Sequence, residues 1–132
     1  MLHFVEPSIT YVISKNECVV DLSGNFTAAT SSENKSDILD TILELEEDAD
    51  EQGLVNGACE KFVVDITELK RLSNWGDARI KKLFRIFFPR AKKLYLVMPN
   101  KMAAMCGSLL VELSVTCGDR LNVVESKADI PF

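Results

Sequence analysis

The chain has 132 residues, 47% of them hydrophobic and 27% charged, with seven Phe and a mean hydropathy of +0.07. That profile excludes a disordered chain and, with six Gly and four Pro, the collagen-like and low-complexity classes; it predicts one compact soluble domain over residues 1–132. A formal net charge of −5 gives no global reason to expect nucleic acid as a partner, yet it hides an asymmetry: residues 33–51 hold nine acids and one base, and residues 70–93 hold nine bases and one acid.

In chain order, the apolar stretch from Ile9 to Ser14 reads as a strand. Ser14-Lys15-Asn16-Glu17 supplies turn chemistry, and Cys18 to Leu22 reads as a second strand, close enough to form a hairpin. Ser23-Gly24-Asn25 closes it. Ser36 is a candidate N-cap for a helix beginning at Asp37, with a buried stripe of Ile38, Leu39, Ile42, Leu45 and Ala49. Asp37, Asp40, Glu44, Glu47 and Asp48 fall mostly on the opposite side, and the segment from Gly53 to Gly57 breaks the pattern as a loop.

Lys61 to Ile66 is a continuous apolar, β-rich run, as expected of a central parallel strand covered on both faces. A connector from Thr67 to Leu72 leads to a helix that Asn74 can cap, with Asp77 favourable to the helix dipole. Ala78, Ile80, Leu83, Phe84 and Phe87 form its buried side, while Arg79, Lys81, Lys82 and Arg85 lie largely outside it. Pro89 ends this helix, and Leu94 to Met98 is the next buried strand. Pro99-Asn100 is expected to open a third helix carrying Met102, Met105, Leu109, Leu110 and Leu113; Cys117-Gly118 stops it, and Leu121 to Val124 is a last short strand. The expected fold class is therefore α/β: a single mixed, mostly parallel sheet with flanking helices, in the order β-β-α-β-α-β-α-β.

No catalytic centre emerges from this pattern. Cys18, Cys59, Cys106 and Cys117 form no C-x-x-C pair; the first three sit in apolar runs and read as small hydrophobes, and unpaired buried thiols suit a reducing cytoplasm. The N-terminal segment lacks the features of a signal peptide, and no apolar run reaches bilayer-spanning length. His3 is the only histidine, which argues against a Ser-His-Asp triad, and no cluster has metal-ligand spacing. Gly53 and Gly57 do not make a phosphate loop. Cys117 near a helix end is the one thiol worth testing, but a helix C-terminus raises a thiol pKa and opposes activation. Neither enzyme activity nor a metal or cofactor is expected.

The order of elements and their punctuation resemble the STAS domain, the fold of anti-sigma-factor antagonists and of the cytoplasmic portion of sulfate transporters. The resemblance runs roughly from Ser8 to Asp129. Residues Val19 to Thr27 are similar to the family's strand ending in Gly before the first helix. Val63-Val64-Asp65-Ile66-Thr67 is similar to its central strand, and Cys117 to Val124 to the Gly-Leu region before its final strand. Members commonly carry Asp-Ser-Ser/Thr-Gly at the start of the next helix, the first Ser being phosphorylated. Here the matching residues are Ser73-Asn74-Trp75-Gly76, so only the Gly is kept. Two further departures are the loop from Gly53 to Ala58 and a segment after Val124 too short for the family's C-terminal helix.

The resemblance implies a non-enzymatic protein-interaction module in signalling or transcriptional regulation. Its partner-binding residues would be Thr67, Ser73, Asn74, Trp75, Gly76, Arg79 and Lys82. The partner implied is a regulatory protein, either a kinase-type anti-sigma factor or another acidic protein. Asn74 cannot accept the phosphate, which would add up to about −2 of charge in a typical member. Ser73 still offers a hydroxyl one place earlier and Thr67 another at the strand end; Ser73 is the candidate acceptor, its alternative role being plain capping chemistry. Trp75 beside Lys70, Arg71, Arg79 and Lys82 has the character of an interface anchor, with core packing as the alternative. The basic helix, 79–93, supports a rival reading as a lipid- or membrane-transporter-associated accessory. The acidic and basic helices could also pair between copies in a salt-sensitive homodimer.

Overall fold

The computed structural model describes residues 8–14, 19–25, 35–67 and 74–131, with side-chain surroundings for 11–14, 40–67 and 77–131. Its elements run β1 (Ser8–Ser14), β2 (Val19–Asn25), α1 (Lys35–Glu51), β3 (Cys59–Asp65), α2 (Asn74–Phe87), β4 (Ala91–Val97), α3 (Gly107–Cys117) and β5 (Leu121–Val124), with short 3-10 turns after β4, α3 and β5. The strands form one sheet in the order β1-β2-β3-β4-β5. β1 and β2 are antiparallel, with Ser14 opposite Val19, as a hairpin requires. The pairs β2–β3, β3–β4 and β4–β5 are all parallel. The fold is α/β.

This strand order decides where the helices go. Each right-handed crossover moves to the next strand in the same direction, so every crossover helix lands on the same face. The core bears this out. Ile42, Leu45 and Ala49 of α1 join Ile80, Leu83, Phe84 and Phe87 of α2 and Leu109, Leu113 and Cys117 of α3 in one cluster, over Phe62, Val64, Leu94 and Leu96 of the sheet. Phe62 stacks on Phe87 with ring centroids 4.2 Å apart and meets Phe84 edge-on at 5.5 Å. The intervening residues Val63, Tyr95 and Val97 point to the other face, where they pack with Ile130 and Val124. Both faces of β3 and β4 are thus buried, which is why those strands read as continuous apolar runs.

The acidic and basic helices, whose relative placement the sequence leaves open, are neighbours: α2 packs between α1 and α3. α1 ends in a Schellman motif, with the Leu54 N–H donating to the Ala49 carbonyl at 2.8 Å and Gly53 to Asp50 at 3.1 Å. Gly53 has φ +74 there, a conformation that glycine adopts without a Cβ penalty. Leu54 is buried against the core and completes the motif. Arg90, in the turn that Pro89 imposes after α2, reaches back to this corner. It donates to Asp50 at 2.6 Å and to the Leu54 carbonyl at 3.3 Å.

Three expectations need correction. The third helix does not open at Pro99-Asn100. Residues Asn100–Met102 form a single 3-10 turn, residues 103–106 a further turn, and the α-helix begins only at Gly107. The buried stripe nevertheless continues through Met102, Cys106, Leu109, Leu113 and Cys117. Tertiary packing therefore holds the apolar spacing even where the hydrogen-bond pattern is interrupted beside a poor helix former. Helix α1 starts at Lys35 rather than Asp37, a shift within the usual fraying of helix ends. Ala78 is half-buried rather than in the core.

Candidate functional site

The parallel strands β2 to β5 end along one edge of the sheet, with Ser23 beside Asp65 and Val97 beside both Asp65 and Val124. The pairing runs one residue further, since the Ile66 N–H donates to the Val97 carbonyl at 3.1 Å. Ile66 is buried, and the chain then emerges at Thr67, which is exposed. The Asp65 carboxylate accepts the Thr67 N–H at 2.9 Å, folding the exit from the strand into a tight Asx-type turn. Lys127 approaches Asp65 from the segment after β5 at 3.9 Å. At this edge, then, a central-strand acid is held between the Thr67 N–H and a base from the C-terminal segment, and Thr67 itself is exposed.

Of the residues expected to bind a partner, Thr67 lies at this lip. Ser73, with Lys70 and Arg71, lies outside the described residues. Asn74, Trp75 and Gly76 form the first turn of α2, and their side-chain surroundings lie outside what is described. Arg79 and Lys82 are half-buried one and two turns along α2, so the helix carries the predicted set away from the lip rather than gathering it at one point.

Three of the nine bases between residues 70 and 93 pair with acids among the described residues. Lys81 pairs with Asp77 on its own helix at 2.5 Å and with Glu112 of α3. Arg90 faces Glu46 and Asp50 of α1, and Lys92 pairs with Glu60 at 2.7 Å. The Lys92 ammonium holds the Glu60 carboxyl below its ordinary pKa. Through Lys81, Arg90 and Lys92, part of the basic run is spent on bridges that tie neighbouring elements together.

Thiol chemistry has little support. Cys59, Cys106 and Cys117 are buried, and the Cys59 thiol donates to the Lys61 carbonyl at 3.2 Å. Burial pushes the Cys106 thiol pKa up, with the charge of Asp77 adding to it. For Cys117 the same direction comes from burial, with Arg120 opposing it. Cys18 lies outside the described residues. Among the described residues no group of three or more His, Cys, Asp or Glu could hold a metal ion. No helix among them is long and apolar enough to cross a membrane.

Two features were not anticipated from the sequence. Tyr11 on β1 donates its phenol to Asp48, and to Glu44 at 3.4 Å, fastening the edge strand to α1. Burial, reinforced by these acids, raises its pKa. A groove of about 320 Å³ also runs along the outer surface between α2 and α3, lined by Lys81, Arg85, Val111, Glu112, Val115 and Thr116. The valines at i and i+4 on the side of α3 opposite Leu109 and Leu113 were the available signal. No family model matches the chain, and no curated protein does.

Proposed function

We propose that the chain is a non-enzymatic protein-interaction module of STAS type that works in the cytoplasm. It binds a regulatory protein through the loop and helix start at 67–79, in signalling or transcriptional regulation, without the usual phosphorylatable Ser. The observation that carries this reading is the exposed Thr67 at the carboxyl end of the central strand. Its backbone is fixed by Asp65, and α2 begins seven residues later. A fixed, exposed turn followed by a helix start gives a partner a pre-organised edge, which lowers the entropy lost on docking. The strand order supports it from another side. A sheet that never reverses direction has no switch-point crevice, the usual seat of small ligands in open α/β folds.

An anionic membrane surface fits less well as the partner. Lys81, Arg90 and Lys92 already face carboxylates, which lowers the field that would draw the basic segment to lipid.

The test is affinity capture from the native cell with the wild-type chain, Thr67→Arg and Trp75→Ala, each checked for folding by circular dichroism. One protein retained by the wild type and lost with Thr67→Arg is the expected result. A partner held equally by all three would place the binding surface elsewhere. Stoichiometric phosphate between Thr67 and Asp77, read by intact mass, would overturn the absence of the switch. Binding to vesicles that rises with anionic lipid content and falls with salt would favour the membrane reading.

A further inference from the structure

The outer surface of the helical layer carries two features that fit each other. The first is the groove between α2 and α3. Helix α3 carries apolar residues on two opposite sides: Leu109, Leu113 and Cys117 face the core, while Val111 and Val115 stand on the outside, 66% and 83% exposed. A helix apolar on both sides is ordinarily covered on both, and here only one is covered. Across the groove stand Lys81 and Arg85 of α2. Glu112 is engaged by Lys81, whereas Arg85 is exposed and enters no ion pair among the described residues.

The second feature is the outer stripe of α1. Asp40, Leu43, Glu44 and Glu47 follow one another at helical spacing and are all exposed, with Leu43 44% exposed among the acids. Glu46 and Asp50 are turned instead towards Arg90. The stripe is an apolar residue framed by negative charge, and the groove is an apolar floor with a positive wall.

We propose that a second copy of this chain covers the groove, laying the α1 stripe of one protomer on the α2/α3 groove of the other. Leu43 meets Val111 and Val115, and Glu47 meets Arg85. The order of the helical layer allows the contact to be made reciprocally. All three helices connect parallel strands and run side by side, with α2 in the middle. A two-fold axis parallel to the helices, between two such layers, sets the α1 of each protomer over the groove of its partner. The assembly therefore closes on itself as a dimer. Its charges are exposed, so it is salt-sensitive.

This surface lies along α2 and α3 rather than at the lip around Thr67, so its test is independent of the proposed function. Sedimentation equilibrium of the full chain should show a monomer–dimer equilibrium that weakens about tenfold between about 0.05 M and about 0.5 M NaCl. Glu47→Arg and Arg85→Glu should each weaken dimerisation by about twenty-five-fold, since each of the two symmetric contacts loses about fivefold. Mixed in equal amounts, these two variants should dimerise with each other at about wild-type strength, because both contacts in the mixed dimer join opposite charges. Both positions are exposed, so melting curves should match the parent and exclude unfolding as the cause. A chain that stays monomeric at low salt up to about 1 mM overturns the proposal. So does a dimer indifferent to either substitution, or a pair of weakened variants that do not restore each other.

Discussion

On one face of the sheet, Phe62, Val64, Leu94 and Leu96 lie beneath three helices. On the other, Val63, Tyr95 and Val97 pack, among the described residues, with Val124 and with Ile130 from the segment after β5. All seven sheet residues are essentially inaccessible to water, yet the two covers differ in kind. The helical cover is cooperative, because each helix packs on the sheet and on its neighbour. On the far face, among the described residues, Ile130 follows a single 3-10 turn rather than a helix packed on a neighbour. Equal dryness is therefore no measure of equal strength. Stability depends on how many groups must move together before water enters.

Substitution on each face tests that difference. Phe62→Ala removes a ring that stacks on Phe87 and meets Phe84, and should cost about 4 kcal/mol in urea unfolding, with loss of cooperativity as a second sign. Ile130→Ala removes a smaller group from a cover that can follow it inward, and should cost about 2 kcal/mol. Equal losses at the two positions would abolish the distinction between the faces.

A smaller effect is expected where the edge strand meets the helical layer. Tyr11 donates to Asp48 and Glu44, and its pKa is raised in the folded protein. The phenol therefore contributes stability that is fully present below its unfolded pKa and lost as pH rises towards its folded one. Between about pH 9 and about pH 11 the wild type should lose stability that Tyr11→Phe does not lose. Parallel stability curves for the two proteins over that range would show that the phenol carries nothing. The smallest effect is expected at Lys92. It is 59% exposed and paired with a half-exposed Glu60, so Lys92→Ala should change stability by less than about 0.5 kcal/mol.

What was legible from the sequence follows the same division. The helical face announces itself through periodicity: Ile80, Leu83, Phe84 and Phe87 repeat at helical spacing, and every one is buried. Strand β3 reads as parallel and central, and β4 as buried, because two-sided burial removes the polar alternation of a half-exposed strand. The start of α3 is harder to read, because Met102 and Met105 keep helical spacing with Leu109 through a stretch that is not α-helical. Periodicity reports which side faces the core and is blind to which carbonyl each N–H reaches. The bases of residues 70–93 read as one patch along the chain. Beyond the local Asp77–Lys81 pair, the partners of Lys81, Arg90 and Lys92 lie on other elements: Glu112, Glu46, Asp50 and Glu60. Ion pairing between distant elements is the part of a site that charge counting along a chain cannot anticipate.

The unbroken strand order has a kinetic consequence as well. Every strand pairs with the one that precedes it in the chain, and no element must wait for a distant segment to arrive. Loop closure is then met in modest instalments, one crossover at a time, instead of in a single long-range step. The hairpin of β1 and β2 can form without any crossover, and each later unit finds a finished edge on which to grow. Such a chain could add structure in the direction of its synthesis, much as a repeat array lengthens by apposition.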